Sequence, residues 1–430
     1  MIRKSAMREE ASRNRDPVGE ARKFVLASCR LLTPHRVVLG DASGCVHAEQ
    51  VTAEVSVPPF ANSAMDGYAV RAADTINAPT RLRVVGSLLA GDDNAITVCH
   101  GEAVRIMTGA PLPRGVDAVC IVEHTRARAG GTIVVIEEAV DPNTNVRRAG
   151  EDIATGAEVF ATGTVLAPPH IGVLARLGLD AILVYPRPRV SVVSTGDELA
   201  SSPGTLGLGK IRDANRPALL TQLRVEGCET IDLGTVGDDK VALSHVFDEG
   251  GLISDAVVVS GGVGAGDRDI VRVVLENMSN GAMRWMQVAV KPAKPFAFGM
   301  LARTGTPVFG LPGNPVAAVV SYELFVRPAL RAMAGHRGLD RPCLSAVAEV
   351  DLRRRHDGKL HLLWVLAKTG IDGTLSVRPS GCQDSHMLRA MAGANALALI
   401  PDSDGVSAGD SVDVLVLDPN RLDAAKADLW

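Results

Sequence analysis

Apolar and polar residues follow one another with changing period along the chain, and each change marks a boundary. From Pro17 to Leu32 the apolar positions Val18, Ala21, Val25, Leu26 and Cys29 recur at helical spacing and predict an amphipathic helix. A shorter apolar stretch leads to VPPF at 57–60, where two prolines exclude regular structure. Between Phe60 and Val146 the pattern shifts to short β-type runs, RLRVVGSLL, AVRIM, DAVCIVEHT and TIVVIEEAV, separated by Gly, Asp and Pro turn signals. Helical spacing returns at 168–178, opened by prolines, with Ile171, Leu174 and Leu177 on one face and Gly178 as the stop. The β-rich domain, 59–145, is therefore read as inserted into a helical and linker domain formed by 1–58 and 146–187.

From 188 to 336 strands and helices alternate. RVSVVST reads as a buried strand, and NRPALLTQLRVEG as a helix with Asn215 as its cap, Pro217 in its first turn and Gly227 closing it. ETIDLGTV, DDKVALSHVFDEG, DAVVVS, IVRVVLENM, KPFAFGM, PVFGL and PVAAVVSYELFVRPAL continue the alternation, which predicts a mostly parallel, doubly wound α/β domain. The remainder, 337–430, holds only β-type runs such as KLHLLWVLAK and DSVDVLVLD and reads as a small β-barrel or sandwich. The fold class expected is multidomain, α/β and β.

Composition narrows the function classes. Among 430 residues, 45 Lys and Arg face 49 Asp and Glu, a net charge of −4, which leaves no basic excess for a nucleic-acid backbone. No apolar stretch approaches the ~18–20 residues of a spanning helix, so no membrane partner is expected. Seven cysteines are scattered without CxxC or CxxH spacing, so neither a disulfide framework nor a zinc site is expected, and a reducing, cytoplasmic location follows. The start, MIRKSAMREEASRNRD, lacks the apolar region of a secretory signal and reads as a solvated extension. Only 14 residues are aromatic, against 67 glycines and prolines, so Val, Leu, Ala and Ile build the cores and the Gly/Pro load falls in turns and ligand loops.

Three of the α/β strands run directly into polar Gly-rich loops: TGDEL (195–199), GGVGAGDRD (261–269) and LPGNP (311–315). Ligands of open α/β sheets sit outside the carboxyl ends of strands, and glycines let an anion reach the backbone and the following helix N-terminus, so the loops can converge on one crevice. Taken singly, each is also an ordinary strand-to-helix turn. Asp197, Glu198, Asp267 and Asp269 suit a hard divalent cation such as Mg²⁺, or else cap helices, as Asp238 and Asp239 before the 240–250 helix do. VKPAKPF (290–296) holds two lysines three apart in an extended, proline-rich segment: an anion site or a solvated pair. NSAMDGYAV, RIMTGAPLP and GED (150–152) place a hydroxyl or carboxylate at tight turns in the β-rich domain and its exit. GGVGAG lies too late in the sheet, and lacks the acidic residue expected downstream, to be a dinucleotide fingerprint. No GxSxG or HxxxH pattern supports hydrolytic triad chemistry.

Taken in order, PPFANSAMDGYAV, RIMTGAPLP, NVRRAGEDI, VSVVSTGDEL, GGVGAGDRD, VKPAKPF, LPGNPVA and GCQDSHML resemble the molybdopterin molybdenumtransferase family, relatives of the gephyrin E domain, from about residue 17 to the end. The resemblance implies a molybdopterin-binding α/β domain, a C-terminal β-barrel and a Mg²⁺-dependent enzyme. Such an enzyme takes adenylated molybdopterin and molybdate, cleaves the phosphoanhydride, releases AMP and leaves the metal on the dithiolene. Its catalytic positions match Asp66, Thr108, Asp152, Glu198, Asp238, Asp269, Lys291 and Lys294 here, with Glu198 and Asp269 as metal ligands. Its substrate-binding positions match Gly196, Asp197, Gly261, Gly262, Pro312, Gly313, Asn314, Pro315 and Ser385. The family also implies an elongated homodimer, with the β-rich domain of one subunit completing the site of the other, and an upstream molybdopterin adenylyltransferase as supplier.

The chain departs from the family pattern at four positions: Gly264 for Ser, Gln287 for a basic residue, Ala293 for Gly between the lysines, and Asp384 for Gly. Two other readings compete with the transferase. An adenylyltransferase-like enzyme would need only 188–336, and a molybdopterin-binding scaffold would keep the fold without the chemistry.

Overall fold

The computed structural model describes residues 17–93, 95–200, 205–264, 270–384 and 386–422; the N-terminal extension at 1–16 lies outside them. The described chain forms two compact units, one spanning Arg36–Val184 and the other joining residues up to His35 with those from Tyr185 onward. Among the described residues, no helix is long and apolar enough to cross a membrane.

The Arg36–Val184 unit is built on a six-stranded sheet of β1 (Gly67–Val70), β2 (Thr80–Leu88), β3 (Glu102–Ile106), β4 (Ala118–Ile121), β5 (Thr125–Arg128) and β6 (Ile133–Ile136), in the order β4-β1-β3-β2-β6-β5. Its period-2 runs turn Tyr68, Val70, Leu82, Val134 and Ile136 to one core and Ala69, Val104, Ile106 and Val119 to another. The helix Pro168–Arg176 has the proline start and Gly178 exit expected of it, and its Leu174 packs with Leu39, Leu166 and Ile182. Gly67, at the start of β1, is obligatory: a Cβ there would stand 2.0 Å from the Cys120 carbonyl oxygen of β4.

The second unit opens with α1 (Val18–Ser28), whose Ala21 and Val25 are fully buried in the α/β core. A six-stranded sheet follows: β7 (Arg189–Thr195), β8 (Glu229–Val236), β9 (Ala256–Ser260), β10 (Arg284–Gln287), β12 (Pro295–Met300) and β13 (Pro307–Leu311), in the order β8-β7-β9-β13-β12-β10. A two-residue strand, β11 (Val290–Lys291), lies between β10 and β12 in the chain. β8, β7, β9 and β13 are parallel, whereas β12 and β10 return antiparallel along one edge. Helices α2 (Asn215–Val225), α3 (Lys240–Ile253), α4 (Ile270–Met278), α5 (Pro315–Ser321) and α6 (Arg327–Met333) cover both faces. Val190, Val192, Ala256 and Val258 face α1, α2, α5 and α6; Val193, Val257, Val259 and Val308 face α3 and α4. Burial on both faces explains why these strands read as unbroken apolar runs. Leu219 and Leu223 of α2 are fully buried, which contributes about 2 kcal/mol each.

Five further strands, β14 (Cys343–Ala348), β15 (Leu360–Thr369), β16 (Leu375–Pro379), β17 (Ala396–Ile400) and β18 (Ser411–Val416), pair in the cycle β15-β16-β14-β18-β17 and back to β15. The pairing of β17 with β15 closes the ring, so the C-terminal region is a barrel and not a sandwich. Its lining of Ala346, Val365, Ala367, Val377, Ala398, Val412 and Val414 is small enough to fill a five-stranded bore.

Beside α6, Glu226 and Glu323 pair with Arg327 and Arg341, and Arg331 reaches Glu226 at 3.7 Å. The Arg331 guanidinium also lies 3.3 Å from Nδ1 of His336, an arrangement that requires a neutral ring. Burial, and then the Arg331 charge, push the His336 pKa down to about 4. The unfolded ring binds a proton near pH 6.5, so this contribution to stability is present above pH 6.5 and lost as the pH falls toward 4. We expect urea unfolding of His336→Gln to show an acid-side loss between pH 6.5 and 4.5 smaller by about 2 kcal/mol than that of the parent, allowing for the ring's partial exposure. Parallel curves for the two proteins would refute this.

Candidate active site

The strand order reverses between β7 and β9, which makes the crevice above their carboxyl ends the switch point of the sheet. Backbones meet closely there. Gly261 sits at φ +102, and a Cβ on it would lie 2.4 Å from the Thr195 carbonyl oxygen and 2.8 Å from the Thr195 hydroxyl. Its N–H donates to the Leu311 carbonyl at 3.1 Å, and a Cβ on Gly313 would come within 3.7 Å of the Gly261 Cα. Gly196 (φ +141) and Gly262 (φ +66) also hold conformations that side chains resist. The loops after β7, β9 and β13 therefore pack as bare backbone, the surface an anion needs.

Asn215 ties this crevice together. Its Nδ2 donates to the Ser260 hydroxyl at 2.6 Å and to the Gly313 carbonyl at 2.9 Å, while the Ser260 hydroxyl donates to the Pro312 carbonyl at 3.3 Å. The expectation that Asn215 caps α2 is corrected: the Asp213 carboxylate accepts the N–H groups of Asn215 (3.0 Å) and Arg216 (3.1 Å), and Asn215 turns inward. Sequence reading missed both roles, because Asp and Asn two residues apart are equally good caps.

Three carboxylates gather beside the β7 loop. The Asp197 Oδ1 accepts the Asp238 N–H at 2.9 Å, and a Cβ on Gly237 would fall 2.8 Å from that oxygen. Lys210 Nζ donates to the Asp197 carbonyl. Glu198 folds its carboxylate back over Gly196, within 2.4–2.7 Å of where a Cβ would be. Burial first, and then the charges of Asp197 and Glu198, hold the Asp238 carboxyl above the usual carboxylate range. Asp239, by contrast, is the cap of α3, accepting the Ala242 N–H at 2.7 Å. Among the described residues no three His, Cys, Asp or Glu side chains close into a ready metal cage.

The lysine segment reaches the same end of the sheet. β10 and β12 pair with Gln287 opposite Pro295, so residues 288–294 form a hairpin loop. β12 in turn pairs with β13 with Ala297 opposite Gly310, and two more steps of that register bring Pro295 to Pro312. The antiparallel return thus carries Lys291 and Lys294 to the level of the glycine loops. Both are exposed, and neither ammonium is paired among the described residues. Ala293 between them is buried at φ +87. An alanine there costs about 1–3 kcal/mol of strain, offset by about 0.8 kcal/mol for its buried methyl and a further ~0.4–1 kcal/mol for the stiffer unfolded chain. Ala293→Gly is accordingly expected to shift the thermal midpoint by less than about 6 °C, a change of at most ~2 kcal/mol; a larger shift in a melting curve would contradict this balance.

Within the Arg36–Val184 unit, the Asp66 Oδ1 accepts both the N–H and the hydroxyl of Thr108, each at 2.7 Å. These two bonds, the N–H first, hold Asp66 below the usual carboxylate range, and both side chains are exposed. The two turns are joined by Ser63 N–H to Ala110 O (3.0 Å) and Gly109 N–H to Ser63 O (2.8 Å). Asp152 stands elsewhere, its N–H on the Val57 carbonyl at 3.1 Å, and no bond joins it to Asp66 or Thr108 among the described residues. In the other unit, Asn314 spends its side-chain oxygen capping α5, accepting from Val316 (3.0 Å) and Ala317 (3.3 Å), with Pro315 at the helix start. Asp269 and Ser385 lie outside the described residues.

Family models match along almost the whole chain: the MoeA N-terminal region (domain I and II) over residues 16–178, the "Probable molybdopterin binding domain" over 191–332, and the MoeA C-terminal region (domain IV) over 346–417. Molybdopterin molybdenumtransferase 2 of Mycobacterium tuberculosis (strain ATCC 25618 / H37Rv) is 38% identical over 407 residues, 92% of this chain and 98% of that protein. The molybdopterin molybdenumtransferase of Haemophilus influenzae is 36% identical, covering 87% of this chain and 92% of its own. Among solved structures, the molybdopterin biosynthesis moeA protein from Pyrococcus horikoshii OT3 superposes with a TM-score of 0.77 at 27% identity, covering 94% of this chain and 100% of that one.

Proposed function

This chain belongs to the molybdopterin molybdenumtransferase family, and from that premise we propose that it transfers molybdate to adenylated molybdopterin with release of AMP. The observation that carries the reading is the antiparallel return of β12, which brings the loop of Lys291 and Lys294, neither ammonium paired among the described residues, to the level of the glycine-lined strand ends. Substrate phosphates and molybdate are all anions, and their approach to one another is favourable only where fixed positive charge and backbone N–H groups offset the repulsion. Lys291 and Lys294 supply the charge, and the loops at Gly196, Gly261, Gly262 and Gly313 supply close backbone. Pro312 and Pro315 stiffen the last of these loops.

Mg²⁺ suits the acidic side of the crevice in chemical kind: hard oxygen donors, among which burial and then the charges of Asp197 and Glu198 raise the Asp238 pKa. Glu198, with Asp269, would hold it, and substrate phosphates would complete its shell, since Mg²⁺ binds through one or two carboxylates rather than a full protein cage. When bound, it offsets phosphate charge as a Lewis acid. Asp66, kept ionised by Thr108, acts from the β-rich domain of the partner subunit in a homodimer, and Asp152 from the segment that leaves that domain. A cytoplasmic adenylyltransferase supplies the adenylated substrate.

The test is AMP release from adenylated molybdopterin. AMP should appear only when molybdate and Mg²⁺ are both present, and no molybdate-dependent AMP would overturn the assignment. ATP consumption with free molybdopterin would point instead to adenylyl transfer.

A further inference from the structure

β15 has different neighbours in series along one edge. Its far edge is taken by β17, which pairs with His361–Val365. On the near edge β11 pairs in parallel with Leu360 and His361, setting Lys291 opposite His361, and β16 pairs with Val365–Thr369. Between them, at Trp364, no named strand pairs: the Trp364 carbonyl accepts the Ser380 N–H and hydroxyl, each at 3.0 Å, and a side chain from the turn beyond takes the rest of the rung. The Trp364 N–H donates to Gln383 Oε1 at 2.8 Å, and Gln383 Nε2 donates back to the Trp364 carbonyl at 3.0 Å. The carboxamide thus serves as a surrogate peptide group, offering one acceptor and one donor as a strand partner would. The same Nε2 donates to the Gly381 carbonyl at 2.8 Å, which binds the turn onto the rung.

We propose that Gln383 is a positioning residue for the lysine loop: it sets the distance between Lys291 and the turn that carries Asp384. Resting on the transferase reading above, the inference assigns a specific purpose to that distance. Lys291 is paired opposite His361, three residues from Trp364, so the two attachments are about 10 Å apart along β15 at ~3.3 Å per residue. Asp384, one residue beyond Gln383, is exposed and accepts the Cys382 thiol at 3.3 Å. A carboxylate that reached the Lys291 ammonium would compete with an incoming anion, since opposite charges attract strongly inside ~8–10 Å. The Gln383 rung keeps Asp384 away from the lysine and leaves the lysine to the substrate.

The experiment measures steady-state kinetics with molybdate as the varied substrate, in the full-length protein. Gln383→Met, close in shape but unable to bond the strand, should raise KM for molybdate about tenfold with kcat within twofold, and adding Asp384→Gly should restore KM to within twofold. Asp384→Gly alone, and Ser380→Ala, which removes a hydroxyl from the same Trp364 carbonyl (3.0 Å), should leave KM within twofold. The proposal is overturned if KM is unchanged in Gln383→Met, if kcat and melting temperature fall together, if Asp384→Gly fails to rescue, or if either control shifts KM equally. Should Gln383→Met not fold, Asp384→Gly alone decides: a tenfold lower KM would mean that Asp384 already occupies the lysine. Absence of turnover in the parent protein would instead sink the transferase reading itself.

Discussion

Replacing Lys294 with alanine is expected to lower molybdate-dependent AMP release by about 10²–10³-fold, the usual cost of removing one fixed donor from a site that stabilises developing negative charge. The backbone at this position should survive the change. The Lys294 carbonyl, which accepts the Val288 N–H at 2.7 Å and closes the hairpin loop, is untouched, and the side chain is exposed. Thermal melting should therefore stay within about 2 °C of the parent, as for a surface substitution worth less than ~0.5 kcal/mol. Lys294→Arg should recover only part of the rate, because a planar guanidinium does not place its charge where a compact ammonium does. Initial rates at saturating and limiting molybdate decide the matter; a loss below threefold would remove Lys294 from the site.

A second large effect is expected from Gly261→Ala. The added methyl would stand 2.4 Å from the Thr195 carbonyl oxygen at φ +102, so β7 and β9 must part or the loop must refold. Strain of about 1–3 kcal/mol and overpacking of about 1–3 kcal/mol add to roughly 2–6 kcal/mol, a fall in melting temperature of about 4–20 °C for a unit of this size. A shift near 1 Å at the strand ends should also cost about 10² in turnover at permissive temperature. Gly281→Ala is the control: its φ is +77 but nothing lies within 4 Å of its Cβ, so it should lose only about 1 kcal/mol and no activity. Equal melting and activity losses in the two variants would show that the crowding at Thr195 is unimportant.

The α/β region was legible because its strands are buried on both faces and its helices on one, so the run lengths and periods differ sharply: RVSVVST against NRPALLTQLRV. The barrel was less legible, since closure is a pairing between β15 and β17 that no local pattern announces. The antiparallel course of β10 and β12 was hidden for the same reason; KPFAFGM reads alike in either direction, yet that direction decides where the lysines stand. Single residues escaped for chemical reasons. Asn215 and Asp213 are interchangeable as caps on paper, and only the buried Ser260 hydroxyl and Gly313 carbonyl draw Asn215 inward. Gln383 lies within the GCQDSHML motif, but its hold on Trp364 was hidden, because a carboxamide imitating a strand has no sequence signature.

The ring of five barrel strands also has a history in time. Its last member, β18, joins β14 to β17, and Cys343 pairs with Leu415 across more than seventy residues of chain. Such long-range pairing forms late, and a chain made from its N-terminus acquires it last. β15, the strand on which the lysine loop leans, keeps its pairings with β16 and β17 without β18, but the ring that holds all three stays open until β18 has been synthesised. A ribosome-bound chain that stops before β18 would carry every lysine and glycine of the crevice beside an unclosed ring, a folded α/β core whose lysine loop leans on an open barrel.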